Sequence, residues 1–231
     1  YNSFGFGADR STMAGMPHFK DAEFHGGFPL AELRFLDDTF PGRVSLEAFN
    51  PFIPLNDKDS SIPAAFFEVA VENTLPASAD YTVVFAVSAP ARQNHSQNVF
   101  SSRDGMSYLR FLRDDLDDAS PEYAEFTVAT DEPDVSFQEY WYRGAWFDSL
   151  GIYWRELTVP GRFKNRFYCG VEKADPTRND TGHLAAHVRL KPGERRKVRF
   201  VLTWHHPNCH NYWQPQVCGC GEDGCIPKGE D

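Results

Sequence analysis

HLAAHVRLKPGERRKVRFVLTWH, residues 183–205, alternates twice in one run. Leu184, Ala186, Val188 and Leu190 share one parity, with Ala185, His187 and Arg189 on the other. Val198, Phe200, Leu202 and Trp204 then alternate with Arg199, Val201 and Thr203. A period of two is the signature of a strand with one face in a core. Between the two runs stands Lys191-Pro192-Gly193-Glu194. Proline fixes φ and glycine accepts the left-handed region, so the spacing predicts a tight turn joining two paired strands as a hairpin.

The same period recurs upstream. Ala31, Leu33 and Phe35 alternate with Glu32 and Arg34; Val44, Leu46 and Ala48 with Ser45 and Glu47; Phe67, Val69 and Val71 with Glu68, Ala70 and Glu72. Residues 81–89 are nearly continuously apolar, which predicts a strand buried on both faces. Weaker strands are expected at 106–113 and 123–130. Trp146, Phe147, Leu150, Tyr153, Trp154 and Leu157 recur at helical spacing, and Pro160-Gly161 ends the pattern. Many strands and one helix predict an all-β fold, an antiparallel two-sheet β-sandwich. No linker-like stretch divides residues 1–231, so one domain is expected, with a Cys/Gly-rich tail at 214–231.

A formal net charge of −10 argues against nucleic acid or an anionic membrane as partner. No apolar run approaches the ~18 residues of a membrane span. The cluster Arg195, Arg196, Lys197 and Arg199 leads into an alternating strand and reads as a solvated strand face.

Candidate chemistry is thin. Asp114, Asp115, Asp117 and Asp118 lack EF-hand spacing and read as a solvated acidic loop. Asn56, Asp57, Asp59, Ser60 and Ser61 suit the capping of loop amides. His205-His206 and His210 read as ordinary polar packing. No nucleophile elbow, P-loop or dinucleotide fingerprint occurs. Trp141, Trp146, Trp154 and Trp213 could stack on sugar rings but suit a core equally well. Cys209, Cys218, Cys220 and Cys225 are the densest signal. Closely spaced thiolates on a glycine-rich loop can enclose a structural zinc, pair as disulfides, or do neither. No cofactor for catalysis is implied. Cys169 reads as a buried core thiol.

FHGGFPLAELRF, FPGRVSLEAFNPFIPLNDKDSSIPAAFFEVAVEN and FVLTWHHPNCHNYW together resemble the N-terminal domain of glycoside hydrolase family 116, over about residues 24–213. That family includes the non-lysosomal glucosylceramidase and bacterial β-glucosidases. The resemblance implies an N-terminal β-sandwich followed by a C-terminal (α/α)6 catalytic barrel, which would be the partner of this chain. It implies retaining hydrolysis of a β-glucoside or glucosylceramide-like substrate by a glutamate nucleophile and an aspartate acid/base, both in the barrel. No carboxylate here matches either motif, so no catalytic residue is assigned.

The resemblance also bears on a loop. Phe49, Pro51, Phe52, Ile53, Pro54 and Leu55 put apolar side chains where loops normally face water. A docking surface for the barrel would cover them; folding back over the sheet edge would do so too. The competing reading of the whole chain is an autonomous carbohydrate-binding or interaction module.

Overall fold

The computed structural model describes residues 16–144, 149–159, 162–168 and 174–209. Its strands are β1 (Asp21–Gly27), β2 (Leu30–Leu36), β3 (Gly42–Phe49), β4 (Ala64–Asn73), β5 (Ala79–Arg92), β6 (Ser96–Arg103), β7 (Met106–Arg113), β8 (Glu125–Thr130), β9 (Val135–Gln138), β10 (Asn179–Leu190) and β11 (Arg195–His205). Two helices accompany them, α1 (Asp57–Ser60) and α2 (Ser149–Thr158). An eight-stranded sheet runs β1-β2-β3-β4-β11-β8-β7-β6, and a three-stranded sheet runs β5-β10-β9. All pairings are antiparallel, as expected of a sandwich.

The expected hairpin of β10 and β11 does not form. The 191–194 turn is real: Glu194 N–H donates to the Lys191 carbonyl at 3.0 Å, and Gly193 sits at φ 71°. But β10 pairs with β5 and β9, whereas β11 pairs with β4 and β8. The turn carries the chain from one sheet to the other. Asn73, at the end of β4, captures it: its backbone N–H donates to the Glu194 carbonyl and its carbonyl accepts from Gly193 N–H. Its side-chain amide reaches the Leu190 and Ala77 carbonyls. Two strands facing one core from opposite sheets show the same alternation as two strands paired in one sheet. Parity therefore fixes which side chains point inward, and leaves the pairing open.

The core lies between the sheets. Leu184, Ala186, Val188 and Leu190 of β10 meet Val198 and Phe200 of β11, Leu109 and Phe111 of β7, and Val128 of β8. Residues 81–89 do not lie in a strand buried on both faces. β5 is an edge strand, with Tyr81, Phe85 and Ala89 inward and Thr82, Ala86 and Ser88 exposed. On its outer face Val84 packs beneath α2.

Helix α2 matches the described part of the expected helix; Trp146 and Phe147 lie outside the described residues. Its Leu150 and Tyr153 pack with Phe163 on Ala185 of β10. Trp141 stacks on Tyr153 at 4.2 Å, and its indole N–H donates to His183 Nδ1 at 2.9 Å. His183 is fully buried, and burial pushes its imidazole down to about 3.

Candidate interaction surface

The loop between β3 and β4 is built inside out. Polar groups hold it from within. Asn50 donates its side-chain amide to the Ala64 carbonyl at 2.7 Å. The Ser60 hydroxyl accepts from Ile53 N–H at 2.9 Å and donates to the Ile53 carbonyl at 3.1 Å. Asn56 accepts from Asp59 N–H, capping α1 as its side-chain chemistry favours. The Ile53 and Asp59 amides are thus satisfied by Ser60 and Asn56, as expected of these two side chains.

With the polar groups turned in, the apolar ones face out. Of the six loop residues singled out by sequence, Phe49 and Pro51 are half-buried, and Phe49 stacks on Phe66 of β4 at 5.2 Å. Phe52 and Ile53 are 49% and 48% exposed, Pro54 is exposed, and Leu55 is fully exposed. Leu55 also adopts φ 66°, a region that disfavours a side chain with a Cβ by ~1–2 kcal/mol. A backbone bond from Asn56 N–H to the Ile53 carbonyl helps hold it there.

The loop has a neighbour that its own sequence does not announce. The β1–β2 turn presents Phe28, 82% exposed, and its ring meets that of Phe52 edge-on at 5.0 Å. From this point an apolar row crosses the outer face of the large sheet. In register stand Leu30, Phe49, Phe66, Val201, Ala129 and Tyr108, one from each of six strands. A shallow cavity of about 180 Å³ lies on this row, lined by Phe49, Phe66, Met106, Ala129 and Val201 among others.

One row away the chemistry reverses. Lys197 pairs with Glu47 at 2.9 Å and Glu68 at 2.6 Å, and Arg199 pairs with Glu68 at 3.0 Å. The Lys197 ammonium and, less strongly, the Arg199 guanidinium hold the Glu68 carboxyl below its usual range. Lys197 and Arg199 therefore lie on a solvated face, as expected.

The buried acids are tied up. Arg143 grips Asp180 with two bonds, at 2.9 and 2.6 Å, and lies over the rings of both Tyr140 and Tyr168. Burial pushes Asp180 up despite this pair. Burial also raises Glu132, which Arg196 holds at 2.6 Å. The acidic loop is internally bonded: Asp114 to His95, Asp115 to Arg113, and Asp117 to Ala119 N–H. His205 and His206 are exposed, with His206 beside Phe126. Trp141 is core packing; Trp146 and Trp213 lie outside the described residues. Cys209 is exposed, whereas Cys169, Cys218, Cys220, Cys225 and His210 lie outside the described residues. Among the described residues no cluster of three or more His, Cys, Asp or Glu is placed to hold a metal. Nor is any helix among them long and apolar enough to cross a membrane.

Residues 7–220 match the profile described as beta-glucosidase 2, glycosyl-hydrolase family 116 N-term. The chain belongs to this family. The match extends past the 24–213 span that carried the resemblance, taking in Cys218 and Cys220. The chain is thus an N-terminal domain of a glycoside hydrolase. No curated protein matches it. Solved structures give weak likenesses. A polysaccharide lyase superposes with TM-score 0.41 at 13% identity, over 77% of this chain and 22% of that one. A GH36 α-galactosidase from Geobacillus stearothermophilus gives 0.34 at 10% identity, over 83% and 26%. The chain spans about a quarter of the length of these structures or less.

Proposed function

We propose that this chain is the non-catalytic N-terminal domain of a retaining β-glucosidase or glucosylceramidase-like hydrolase, and that its apolar end supports a C-terminal (α/α)6 catalytic barrel of the same polypeptide. The observation that carries the proposal is the inside-out loop. Phe52, Ile53 and Leu55, with Phe28, form an exposed apolar patch on rigidly held backbone, and such patches mark interaction sites. The chain leaves β11 at the same end: Trp204 N–H donates to the Pro63 carbonyl beside the loop. This exit on the patch side of the sheet supports a following domain docking there.

The buried acids support a non-catalytic role. A retaining pair needs two carboxyls ~5–5.5 Å apart across a substrate bond. Asp180 and Glu132 instead each serve an arginine. Purified 1–231 should give no turnover of an aryl β-glucoside above background. Turnover that vanishes in a folded Glu132→Gln or Asp180→Asn variant would overturn the proposal.

A further inference from the structure

Among the described residues, a sandwich of eight strands against three leaves surface uncovered, and four sheet edges. An open edge presents unpaired N–H and C=O groups, so proteins blunt such edges with charge, proline or brevity. Three of the four edges here are blunted. β1 carries Asp21, Glu23 and His25 and ends in two glycines. β6 is polar along most of its length, and β9 has only 4 residues. The fourth edge is different. β5 is 14 residues long; Asp80, Pro90 and Arg92 lie near its ends, and the nine residues 81–89 between them contain neither a charge nor a proline. A strand of this kind is not built to stay open.

The floor beside that edge is apolar as well. β5 crosses the large sheet: in its first half Tyr81 touches Pro41 and Phe85 packs on Phe67 of β4, and its second half approaches β8, β7 and β6, whereas Phe137 of β9 stacks on Phe100 of β6. Beyond β5 the large sheet runs on through β3, β2 and β1. Its core-side face there continues the core in register, from Val69 to Leu46, Leu33 and Phe24. Phe19 covers Phe35 one row away, at 4.8 Å. In this row, however, Leu46 and Leu33 are only half-buried and Phe24 is 66% exposed.

We propose that the open edge of β5 is a strand-addition site, filled by an extended segment of the hydrolase polypeptide outside residues 1–231. That segment pairs with β5 through its backbone and lays apolar side chains on Leu46, Leu33 and Phe24. Strand addition draws affinity from main-chain bonds and selectivity from alternate side chains, and both halves of that recognition are present here. The occupant is taken to be the same polypeptide because the chain leaves β11 beside Pro63, at the start of β4 and on the side of the sheet that runs on to β3, β2 and β1. The inference rests on the reading that this chain is part of a longer hydrolase.

Residue-resolved hydrogen exchange on 1–231 and on the complete hydrolase tests it, with light scattering to fix the oligomeric state of 1–231. Free-edge amides within 82–88 should exchange fast in monomeric 1–231 and slow by more than about tenfold in the complete enzyme. Equal exchange in the two proteins overturns the proposal. So does protection already present in monomeric 1–231, or in a dimer of it, which would give the edge to a second copy. If residues 28–30 and 52–55 gain protection while 82–88 do not, barrel docking at the patch stands and strand addition falls. If 82–88 gain protection and the patch does not, the reverse holds.

Discussion

The sharpest probe of the docking surface is the pair Phe28→Ser and Leu55→Ser. These side chains have the least to lose in the isolated domain. Leu55 is fully exposed and Phe28 is exposed over four-fifths of its surface, its main contact being the Phe52 ring. Full burial of a leucine or phenylalanine side chain contributes about 1.5–3 kcal/mol. If the catalytic domain covers both, their loss should weaken the domain contact by about 2–4 kcal/mol, allowing for apolar area already counted in the free domain. In 1–231 alone the pair removes one aromatic contact, about 1 kcal/mol. For a domain of this size that corresponds to a fall of about 2–4 °C in melting temperature. Phe52 and Ile53 are weaker probes, because each is already half-buried on its own sheet. Calorimetry of 1–231 and of the complete hydrolase, each with and without the pair, decides it. The sandwich transition should fall further in the complete enzyme than in 1–231. Equal falls in both, or no fall in the complete enzyme, would refute the reasoning.

Two further predictions concern the buried polar groups. Arg143→Ala leaves Asp180 charged and unpaired in the interior and should destabilise 1–231 by about 3–5 kcal/mol in urea titrations, whereas the double change Arg143→Met with Asp180→Leu should recover most of that loss. His183 should make stability depend on pH. Its folded value lies near 3 and its ordinary value at 6.5, so between these the unfolded chain binds the extra proton. The stability gained from a neutral His183 is complete above 6.5 and is lost as pH falls, by up to about 1.4 kcal/mol per pH unit. Arg166 presses the same way, while burial raises Asp180 and Glu132, whose ionised forms oppose folding less as pH falls. Urea midpoints at pH 7 and 5 should therefore be compared with those of His183→Gln, which should show the flatter slope; equal slopes would sink the assignment.

Much of the sandwich was legible because one-faced burial leaves a period of two. β2, β3, β4, β10 and β11 all follow it. Where burial did not impose the period, the strand was hidden: every residue of β1 is exposed, and β6 is polar along most of its length. The link from β6 to β7 was readable locally, since Asp104 and Gly105 both take positive φ in a two-residue turn, which that pair favours. The route of the chain between sheets was not readable, because Lys191–Glu194 looks the same whether it closes a hairpin or an arch. Half of the candidate surface was visible as apolar residues in a proline-rich loop. The other half was present as broken parity: Phe66 stands in phase with Glu68, and Val201 in phase with Arg199. An apolar residue on the polar phase of a strand marks an outer face that is not meant for water.

That broken parity also weighs against the reading as a carbohydrate-binding module. A sugar platform needs an aromatic face open to a pyranose ring and hydrogen-bonding groups around it to fix the hydroxyls. At the patch, the rings of Phe28 and Phe52 meet at 63°, so they do not form one flat platform. Their neighbours Ile53, Pro54 and Leu55 bring no polar side chain, and Asn50, Asn56 and Ser60 of the loop are engaged with Ala64, Asp59 and Ile53. The half-buried Trp141 is committed to Tyr153 and His183. What the surface offers is hydrophobic area on stiff backbone, and its complement is another hydrophobic protein surface. The charged rows of Glu47, Glu68, Lys197 and Arg199 then set the boundary of that contact on the outer face. An ion-pair network of this kind is at home in water, so a partner domain docked as proposed would be confined to the end of the sandwich that carries the Phe28–Phe52 patch.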